Sequence, residues 1–256
     1  MSPRRLSSLS LNQKLTLLIA FLAIVGTIIA AFVSGHDWFQ PLSSLPVLSI
    51  SPTPFSGKIE FVSVESSDTL NPNLQWDAGS SELSAYSLDG DEIVVTAGPH
   101  TWPNFPMINY TQPVIGDFSI QVKVAFVPDA LVLKTAQMVG LLIRPANARL
   151  VQSDTSFPKD WVVSSKYVTD AGVLVGCRGS WADYSSEIVF LKIEKGAASW
   201  KCAYSNDGEH WFYLNVDVDN TQFQNQQLAI SLFAYSDTDK VVTAKFSDLE
   251  IYINGK

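Results

Sequence analysis

The stretch DFSIQVKVAF, residues 117–126, alternates apolar and polar side chains over its whole length. Because successive side chains of a β-strand point to opposite faces of the sheet, this alternation separates an apolar face from a polar one. The apolar face carries Phe118, Ile120, Val122, Val124 and Phe126, and the polar face carries Ser119, Gln121 and Lys123. The stretch therefore predicts a strand in a sheet that is packed on one face.

Similar apolar and β-branched runs fill the rest of the chain after residue 57, and Gly, Asn, Asp and Ser separate them. They cover residues 59–64, 92–97, 137–144, 160–168, 172–178, 187–194, 198–205, 210–216, 228–235 and 243–253. No segment after residue 36 keeps a convincing helical period over three turns. So many strands without helices between them predict an all-β domain at residues 58–256, built as an antiparallel jelly-roll sandwich of two stacked sheets.

The N-terminal region has a different character. Residues 15–33, LTLLIAFLAIVGTIIAAFV, contain no charge and come close to the ~20 residues that cross a bilayer as a helix. We therefore predict a transmembrane signal anchor at 15–34. The basic residues Arg4, Arg5 and Lys14 precede it, so the positive-inside rule keeps the stub 1–14 in the cytoplasm and makes the C-terminal domain extracellular.

A cleaved signal peptide with its cut before His36 is the alternative interpretation of the same region, and it also exports the domain. Residues 35–57 are rich in proline and serine, which predicts an extended linker between membrane and domain. The chain beyond residue 36 keeps 25 acidic residues against 14 basic ones. Such a surface repels a phosphate backbone, so we expect no nucleic-acid partner.

The segment YSNDGEHWFYL, residues 204–214, suggests three interpretations. A calcium loop needs several more oxygen ligands than Asp207 and Glu209 supply. The Asp box of sialidases is resembled only loosely, because Asp207 and Gly208 are adjacent. A β-hairpin is favoured, since Asn206, Asp207 and Gly208 tolerate the positive φ of a tight turn.

Signatures of common enzyme chemistry are missing from the sequence. It has no HExxH, CxxC, GxSxG, Walker or GxGxxG motif, and its three histidines are scattered. We therefore predict no cofactor, no metal and no enzymatic activity. Asp248 and Glu250 share one face of a predicted strand, but they are a weak candidate for a catalytic pair because polar residues of a closing strand usually face solvent.

Cys177 and Cys202 are the two cysteines of an exported domain, where a disulfide persists. The run 187–194 is expected to form a strand between the two strands that carry them, which would keep the cysteines apart. A bond across the two sheets, or a different strand order, would join them. The sequence leaves both outcomes open.

Several segments taken in order carry a family resemblance. They are WPNFP (102–106), GDFSIQVKV (116–124), AQMVGLLIR (136–144), WVVSSKYV (161–168), GVLVGCRGSWADYS (172–185), EIVFLKIEKG (187–196), YSNDGEHW (204–211) and AKFSDLEIY (244–252). Together they resemble the regulation-of-enolase-protein family of the concanavalin A-like lectin and glucanase superfamily. The resemblance implies a jelly roll with a concave face, in a superfamily where many members bind or cleave sugars. The Glu-x-Asp-x-Glu run of its glucanases is missing here.

Sugar sites in sandwich folds combine flat aromatic rings with a few fixed polar groups. The candidate ligand-binding residues are the rings Trp102, Tyr110, Trp161 and Trp181 and the cations Arg144, Lys166 and Arg178. Alternation places Arg144 on the face opposite Val139, Leu141 and Ile143, away from the core.

These observations predict a membrane-tethered extracytoplasmic binding module for carbohydrate or a glycosylated surface. Several of the four candidate rings should then be exposed together on one concave surface. A protein-interaction or scaffold domain at the cell envelope would instead show a broad apolar patch without a cleft. A divergent glycoside hydrolase would need two carboxylates facing each other at ~5 to 10 Å.

Overall fold

A computed structural model describes residues 56–63, 66–99, 101, 104–126, 137–148, 157–158, 161–169, 172–216, 218, 220–223 and 225–253. The predicted stub 1–14, the predicted anchor 15–34 and nearly all of the predicted linker 35–57 lie outside these residues, so they stay predictions. Within the described part of the chain, no helix has the length and apolar character that crossing a membrane requires.

The described residues form strands almost throughout, as the alternating runs predict. The strands are Gly57–Ile59 (β1), Val62–Ser63 (β2), Ser66–Leu70 (β3), Leu74–Asp77 (β4), Ala85–Asp89 (β5), Glu92–Ala97 (β6), Met107–Tyr110 (β7), Phe118–Phe126 (β8), Gln137–Pro145 (β9), Val162–Thr169 (β10), Gly172–Cys177 (β11), Ser180–Asp183 (β12), Ile188–Lys195 (β13), Trp200–Ser205 (β14), Phe212–Leu214 (β15), Leu228–Ser236 (β16) and Val242–Ile253 (β17). A short 3₁₀ turn spans Asn220–Phe223.

Two large antiparallel sheets make up this architecture. In the eight-stranded sheet the order is β15-β14-β13-β8-β17-β6-β5, and β1 pairs with β17. In the seven-stranded sheet the order is β12-β11-β10-β9-β16-β7-β4, and β2 and β3 form a separate ribbon. Strands distant in sequence are neighbours in both sheets, as in a jelly roll, so the prediction of an antiparallel sandwich is confirmed at this level.

The two sheets bury a common core between them. Strand β8 lies at the centre of the eight-stranded sheet, between β13 and β17, and its residues alternate between buried and half-buried over the full length. Its inner face contributes Ile120, Val122 and Val124, and the seven-stranded sheet contributes Val139 and Leu141 from β9, all in one hydrophobic cluster. Removing this apolar surface from water is the main force that holds the sheets together.

The seven-stranded sheet departs from packing on one face. Strand β9 is buried at every position except Arg144, because side chains on both of its faces are covered. A second cluster, which we call the outer cluster, covers the face that points away from the eight-stranded sheet. It contains Phe105, Met107, Met138, Leu142, Trp161, Val163, Phe233 and Tyr235, with Phe157 and Tyr167 packed against it.

A disulfide links the two sheets. Cys177 ends β11 in the seven-stranded sheet, and Cys202 lies in β14 of the eight-stranded sheet, with 6.2 Å between their Cα atoms. The intervening strand β13 pairs with β14 and not with β11, so it does not hold the cysteines apart. Of the two outcomes that the sequence leaves open, the structure forms the bond across the sheets.

Candidate functional site

The outer face of the seven-stranded sheet carries the most distinctive site. At the end of this sheet formed by β12 and β11, Trp181 lies opposite Gly176 in the ladder. A Cβ atom built on Gly176 would lie 2.1 Å from Cε3 of Trp181. The indole therefore covers the backbone of β11 so closely that only glycine fits beneath it. Its ring also lies 5.3 Å, between centroids, from that of Tyr167.

Beside Trp181 is a cavity of about 240 Å³, which we call the Trp181 cavity. Its lining residues come from β9, β10, β12, the β11–β12 turn and the segment that precedes β10. They are Met138, Phe157, Pro158, Trp161, Val163, Arg178, Gly179 and Trp181. The walls are thus mostly apolar and aromatic, the composition typical of small-molecule pockets, although the volume is at the small end of their range.

Arg178 supplies the charge of this cavity. It follows β11 directly, and Arg178 and Gly179 have φ values of 43° and 84°, the positive values that the two-residue turn of a hairpin requires. The backbone amide of Arg178 donates to the carbonyl oxygen of Val163 at 3.3 Å. Its Nη1 donates to the carbonyl oxygen of Trp161, also at 3.3 Å. The first bond ties the turn to β10, and the second holds the guanidinium against the residue that precedes β10.

Three of the predicted ligand-binding residues meet at this cavity. Trp161, Arg178 and Trp181 all line it. Trp181 is 41% exposed, as expected of a binding platform, whereas Trp161 is 2% exposed and presents only part of its ring as a wall. Trp161 is therefore not among the exposed rings that the binding-module hypothesis requires, because it packs against Phe157 within the outer cluster.

Two other predicted residues lie on the opposite side of the sheet. Tyr110 is 4% exposed and belongs to the core between the sheets, so it is not one of the exposed rings either. Lys166 pairs with Val139, whose side chain also faces the core, and it is 1% exposed. Neither side chain shares a surface with Trp181. Lys166 and Tyr167 are consecutive residues of one strand, so their side chains point to opposite faces of the sheet. Tyr167 faces outward beside Trp181, and Lys166 faces the core.

Lys166 has a structural environment of its own. Its Nζ donates to the carbonyl oxygens of Phe126, Ser186 and Glu187 at 2.7 to 3.0 Å. Burial disfavours the charged ammonium and lowers the pKa of Lys166 to about 8, although the carboxylate of Glu187 acts in the opposite direction. These contacts indicate a structural role for Lys166, which supplies a hydrogen-bond donor to three backbone carbonyl oxygens at the rim of the core.

Arg144 faces away from the core, as alternation predicts. Its Nη1 donates to the carbonyl oxygen of Ala148 at 2.9 Å, and its buried Nε has no hydrogen-bond partner in the described structure. Burial lowers the pKa of Arg144. Arg144 does not line the Trp181 cavity. Trp102 lies outside the described residues, and a ligand-binding role for any of the seven candidates stays a prediction.

Carboxylates are far apart on the outer face of the seven-stranded sheet. Among the described strand residues of this face they are Asp77 on β4 and Asp183 on β12, the two edge strands. Six strand spacings of ~4.8 Å separate these edges by about 29 Å. A glycosidase pair needs its carboxylates within ~10 Å, so these two cannot act together.

The other carboxylate pair considered from the sequence, Asp248 and Glu250, makes contacts with neighbouring side chains. A bulge interrupts β17 between Ser247 and Glu250, and Asp248 within it has a φ of 50°. Asp248 lies 3.7 Å from the ammonium of Lys58, whereas Glu250 accepts hydrogen bonds from Gln121 and Tyr252. Asp248 is exposed and Glu250 is half-buried, with the buried Leu249 between them, so both carboxylates face away from the core, as expected of polar residues in a closing strand.

The segment 204–214 forms the turn between β14 and β15, as the favoured hairpin interpretation predicts. Asp207 Oδ1 accepts from the amides of Glu209 and His210 at 2.9 and 2.8 Å, and its Oδ2 lies 2.8 Å from His210 Nδ1. These bonds, with that of the His210 amide foremost, hold the pKa of Asp207 well below its usual range. The indole of Trp211 packs under Lys192 Nζ at 3.7 Å. The carboxylate oxygens are thus occupied within the turn, and in the described part of the chain no three His, Cys, Asp or Glu side chains cluster to hold a metal.

Sequence reasoning missed the other five lining residues, Met138, Phe157, Pro158, Val163 and Gly179, and the glycine beneath Trp181. Met138 and Phe157 line the cavity although neither stood out in the sequence, because each has the composition of an ordinary core residue. Gly176 lies beneath Trp181 within an otherwise apolar strand. A glycine inside a strand often marks a close approach by another group, so Gly176 was a usable signal.

Comparisons with known proteins support the architecture. No protein-family model matches the chain, and no match is found among curated proteins. The GH43 protein BlXynB from Bacillus licheniformis is similar in structure, with a TM-score of 0.56 at 15% identity over 73% of this chain and 38% of that chain. Lectin II from Ulex europaeus gives a TM-score of 0.54 at 9% identity over 78% of this chain and 99% of the lectin.

A bifunctional GH43-CE protein from Bacteroides eggerthii gives a TM-score of 0.54 at 15% identity, over 78% of this chain and 26% of that chain. The chain therefore spans well under half the length of the two GH43 proteins it matches. At such low identities these similarities show the fold, an all-β sandwich of antiparallel sheets, and leave function to the chemistry of the site.

Proposed function

We propose that this chain is a membrane-tethered extracytoplasmic module that binds carbohydrate at the Trp181 cavity. The observation that carries the proposal is the exposed indole of Trp181 beside an apolar cavity that contains one guanidinium. The CH faces of a sugar ring pack on an aromatic face, while its hydroxyls need fixed donors and acceptors. The cavity offers both kinds of contact within one small volume.

The fold is compatible with this proposal. Lectins share the sandwich over most of their length, and one similar structure, with a TM-score of 0.53, is lectin UEA-II complexed with galactose. Membership of the regulation-of-enolase-protein family, which the ordered segments from residue 102 to residue 252 suggest, is part of the proposal. The comparison with GH43 proteins supports a hydrolase less well, because the carboxylates on the described strands of this face, Asp77 and Asp183, lie at opposite edges of the sheet.

Export of the domain rests on the uncharged stretch 15–33 and gains support from the disulfide. A bond between Cys177 and Cys202 is typical of a protein that folds in an oxidising compartment. Membrane tethering is tested by washing membranes from expressing cells with alkaline carbonate. The full chain should stay with the membrane pellet, and a variant that lacks residues 1–36 should leave it. Release of the full chain would contradict the anchor.

Carbohydrate binding is tested on a glycan array with the full chain in detergent, alongside Trp181→Ala and Tyr213→Ala. Tyr213 is the matched control because it is also an exposed ring, but it lies on edge strand β15 of the other sheet. We expect the parent and Tyr213→Ala to bind the same glycans and Trp181→Ala to lose them. Equal binding by all three proteins would contradict the Trp181 cavity as the site.

A protein-interaction domain is the second candidate, and one observation favours it. Phe212 and Tyr213 are both more than half exposed on β15, an edge strand that has one neighbour in its sheet. Unpaired strand edges with exposed rings are surfaces on which a partner strand adds. No binding to the array by the parent, together with a protein cross-linked at β15 in cells, would favour this candidate.

A further inference from the structure

We infer that the ligand of the Trp181 cavity carries a carboxylate, as a uronic or sialic acid does. The inference rests on the proposed function and adds the chemical class of the sugar. It follows from the charge of the cavity. Among the described lining residues Arg178 is the one that is ionisable, and the others are apolar, aromatic or glycine.

When a ligand fills the cavity, the guanidinium of Arg178 loses water and is left among apolar lining residues. It then needs an opposite charge on the ligand. Displacing water from an ionised group costs free energy unless an opposite charge and hydrogen bonds replace that water. A neutral sugar supplies hydroxyl acceptors but no charge. A carboxylate supplies both, and its two oxygens match the fork of the guanidinium.

Arg178 has the donors for this contact. Its side chain makes one hydrogen bond in the described structure, from Nη1 to the carbonyl oxygen of Trp161 at 3.3 Å. The Nε and Nη2 groups have no partner among the described residues. Arg178 and Trp181 also belong to one hairpin, formed by β11, β12 and the turn between them. One sugar ring can therefore contact the indole while its carboxylate contacts the guanidinium.

The backbone at Arg178 gives a second, independent observation. Its φ of 43° lies in the left-handed region, where Gly, Asn and Asp are favoured in hairpin turns and a long side chain costs free energy. Gly179, the other turn residue, has the residue type that the turn favours. An arginine at the first turn position does not stabilise the turn. A function of the side chain, such as binding a ligand, therefore accounts for an arginine at this position better than turn formation does.

The test compares acidic sugars with neutral counterparts that differ in the carboxylate. The full chain in detergent is titrated with tri-galacturonic acid, tri-glucuronic acid, tri-mannuronic acid and 3′-sialyllactose, and with the methyl ester of each. Three proteins are used: the parent, Arg178→Gln and Lys123→Gln. Lys123→Gln is the matched control because it also removes one positive charge. Lys123 lies far from the cavity in the fold, on the outer face of the eight-stranded sheet.

We expect the parent to bind at least one acidic sugar about ten- to hundredfold more tightly than its neutral counterpart, which is the range for a charge-assisted pair. Arg178→Gln should lose that preference, and Lys123→Gln should keep it. Equal affinity for acidic and neutral members, or equal loss in both variants, would overturn the inference and leave carbohydrate binding intact. No binding to any of the eight sugars would overturn the carboxylate inference, and silence on the full array as well would overturn the proposed function.

Discussion

The outer faces of the two sheets are made from strands of similar length, yet they differ in character. On the eight-stranded sheet the outer face of β8 carries Ser119, Gln121 and Lys123, which are half-buried. On the seven-stranded sheet the outer face carries Phe233 and Leu142, which are completely buried beneath the rings of the outer cluster. One face remains in contact with solvent, and the other is covered by segments of the same chain.

This difference shows where a binding site can form in the sandwich. A polar face in contact with solvent needs no cover, and it offers few apolar surfaces to a ligand. A sheet that is apolar on both faces must be shielded from water on both faces. The outer cluster shields the outer face of the seven-stranded sheet and ends beside Trp181, where the indole and the cavity remain accessible. The candidate site is thus the edge of a second hydrophobic cluster.

The strongest test of this comparison is Phe233→Ala. Phe233 is buried in the outer cluster, and its ring centroid lies 5.2 Å from that of Phe105 and 5.9 Å from that of Phe157. Because a cavity would replace the ring, we expect the free energy of unfolding to fall by about 3–5 kcal/mol in urea titrations. Ser119→Ala on the other outer face should change it by less than about 0.5 kcal/mol. Similar effects of both variants would remove the distinction between the faces.

Removing the disulfide should have the next largest effect. The bond joins residues 25 apart in sequence and ties β11, which lies beneath Trp181, to the eight-stranded sheet. Replacing Cys177 and Cys202 by Ala frees the unfolded chain, so we expect the free energy of unfolding to fall by roughly 3 kcal/mol. Reductant should destabilise the parent to a similar extent and leave the double variant unchanged. A reductant effect on the double variant would contradict this account.

Gly176→Ala tests whether the indole of Trp181 is held flat against β11. An added Cβ would lie 2.1 Å from Trp181 Cε3 and 2.7 Å from the carbonyl oxygen of Ser180. We expect a loss of about 1–3 kcal/mol in the free energy of unfolding and a weaker glycan signal. Gly196→Ala is the control, because its nearest neighbour is 3.7 Å away. Full stability of Gly176→Ala would show that Trp181 does not cover this position.

In the Trp181→Ala background the same substitution should cost less, because one of the two close contacts has gone. The loss in the free energy of unfolding that remains would come from the contact of the new Cβ atom with the carbonyl oxygen of Ser180. Additive effects of the two substitutions would mean that the residues do not touch.

The smallest expected effect concerns pH and the buried cation Lys166. Its pKa is lowered from 10.5 to about 8 in the folded protein, so the unfolded chain binds more protons between these values. The free energy of unfolding should therefore rise as the pH increases from about 8 towards 10. Lys166→Met should be less stable, since three carbonyl oxygens lose their donor, and should lack this part of the rise. Identical pH profiles of parent and variant would contradict the assignment.

Alternation along each strand predicted the class of fold well. The pattern of residues 117–126 and the similar runs after it indicated the sandwich, the inward face of β8 and the outward direction of Arg144. These properties depend on neighbours within one strand, which the sequence displays directly. The hairpin at 204–214 was equally local, because its turn residues and its hydrogen bonds lie within the same few residues.

The site was only partly predictable. Trp161, Arg178 and Trp181 were candidates from the start, but Tyr110 and Lys166 appeared equivalent to them in sequence and face the core. In WVVSSKYV, residues 161–168, both alternating sets contain apolar and polar side chains, so the pattern does not say which set meets the other sheet. The structure places Val162 and Lys166 on the inner side and Trp161 and Tyr167 on the outer side.

By itself the amino-acid sequence determined where most of the long strands lie, which residues of a strand share a face and where the hairpin turn within 204–214 lies, because these follow from the two-residue period and from turn chemistry. Only the tertiary structure decided that Cys177 meets Cys202, that a second hydrophobic cluster covers the seven-stranded sheet, and that Arg178 and Trp181 open onto one cavity. The physical reason is that pairing between sheets depends on strand order and register. Both are set by the burial of the whole set of apolar faces, which no single strand encodes.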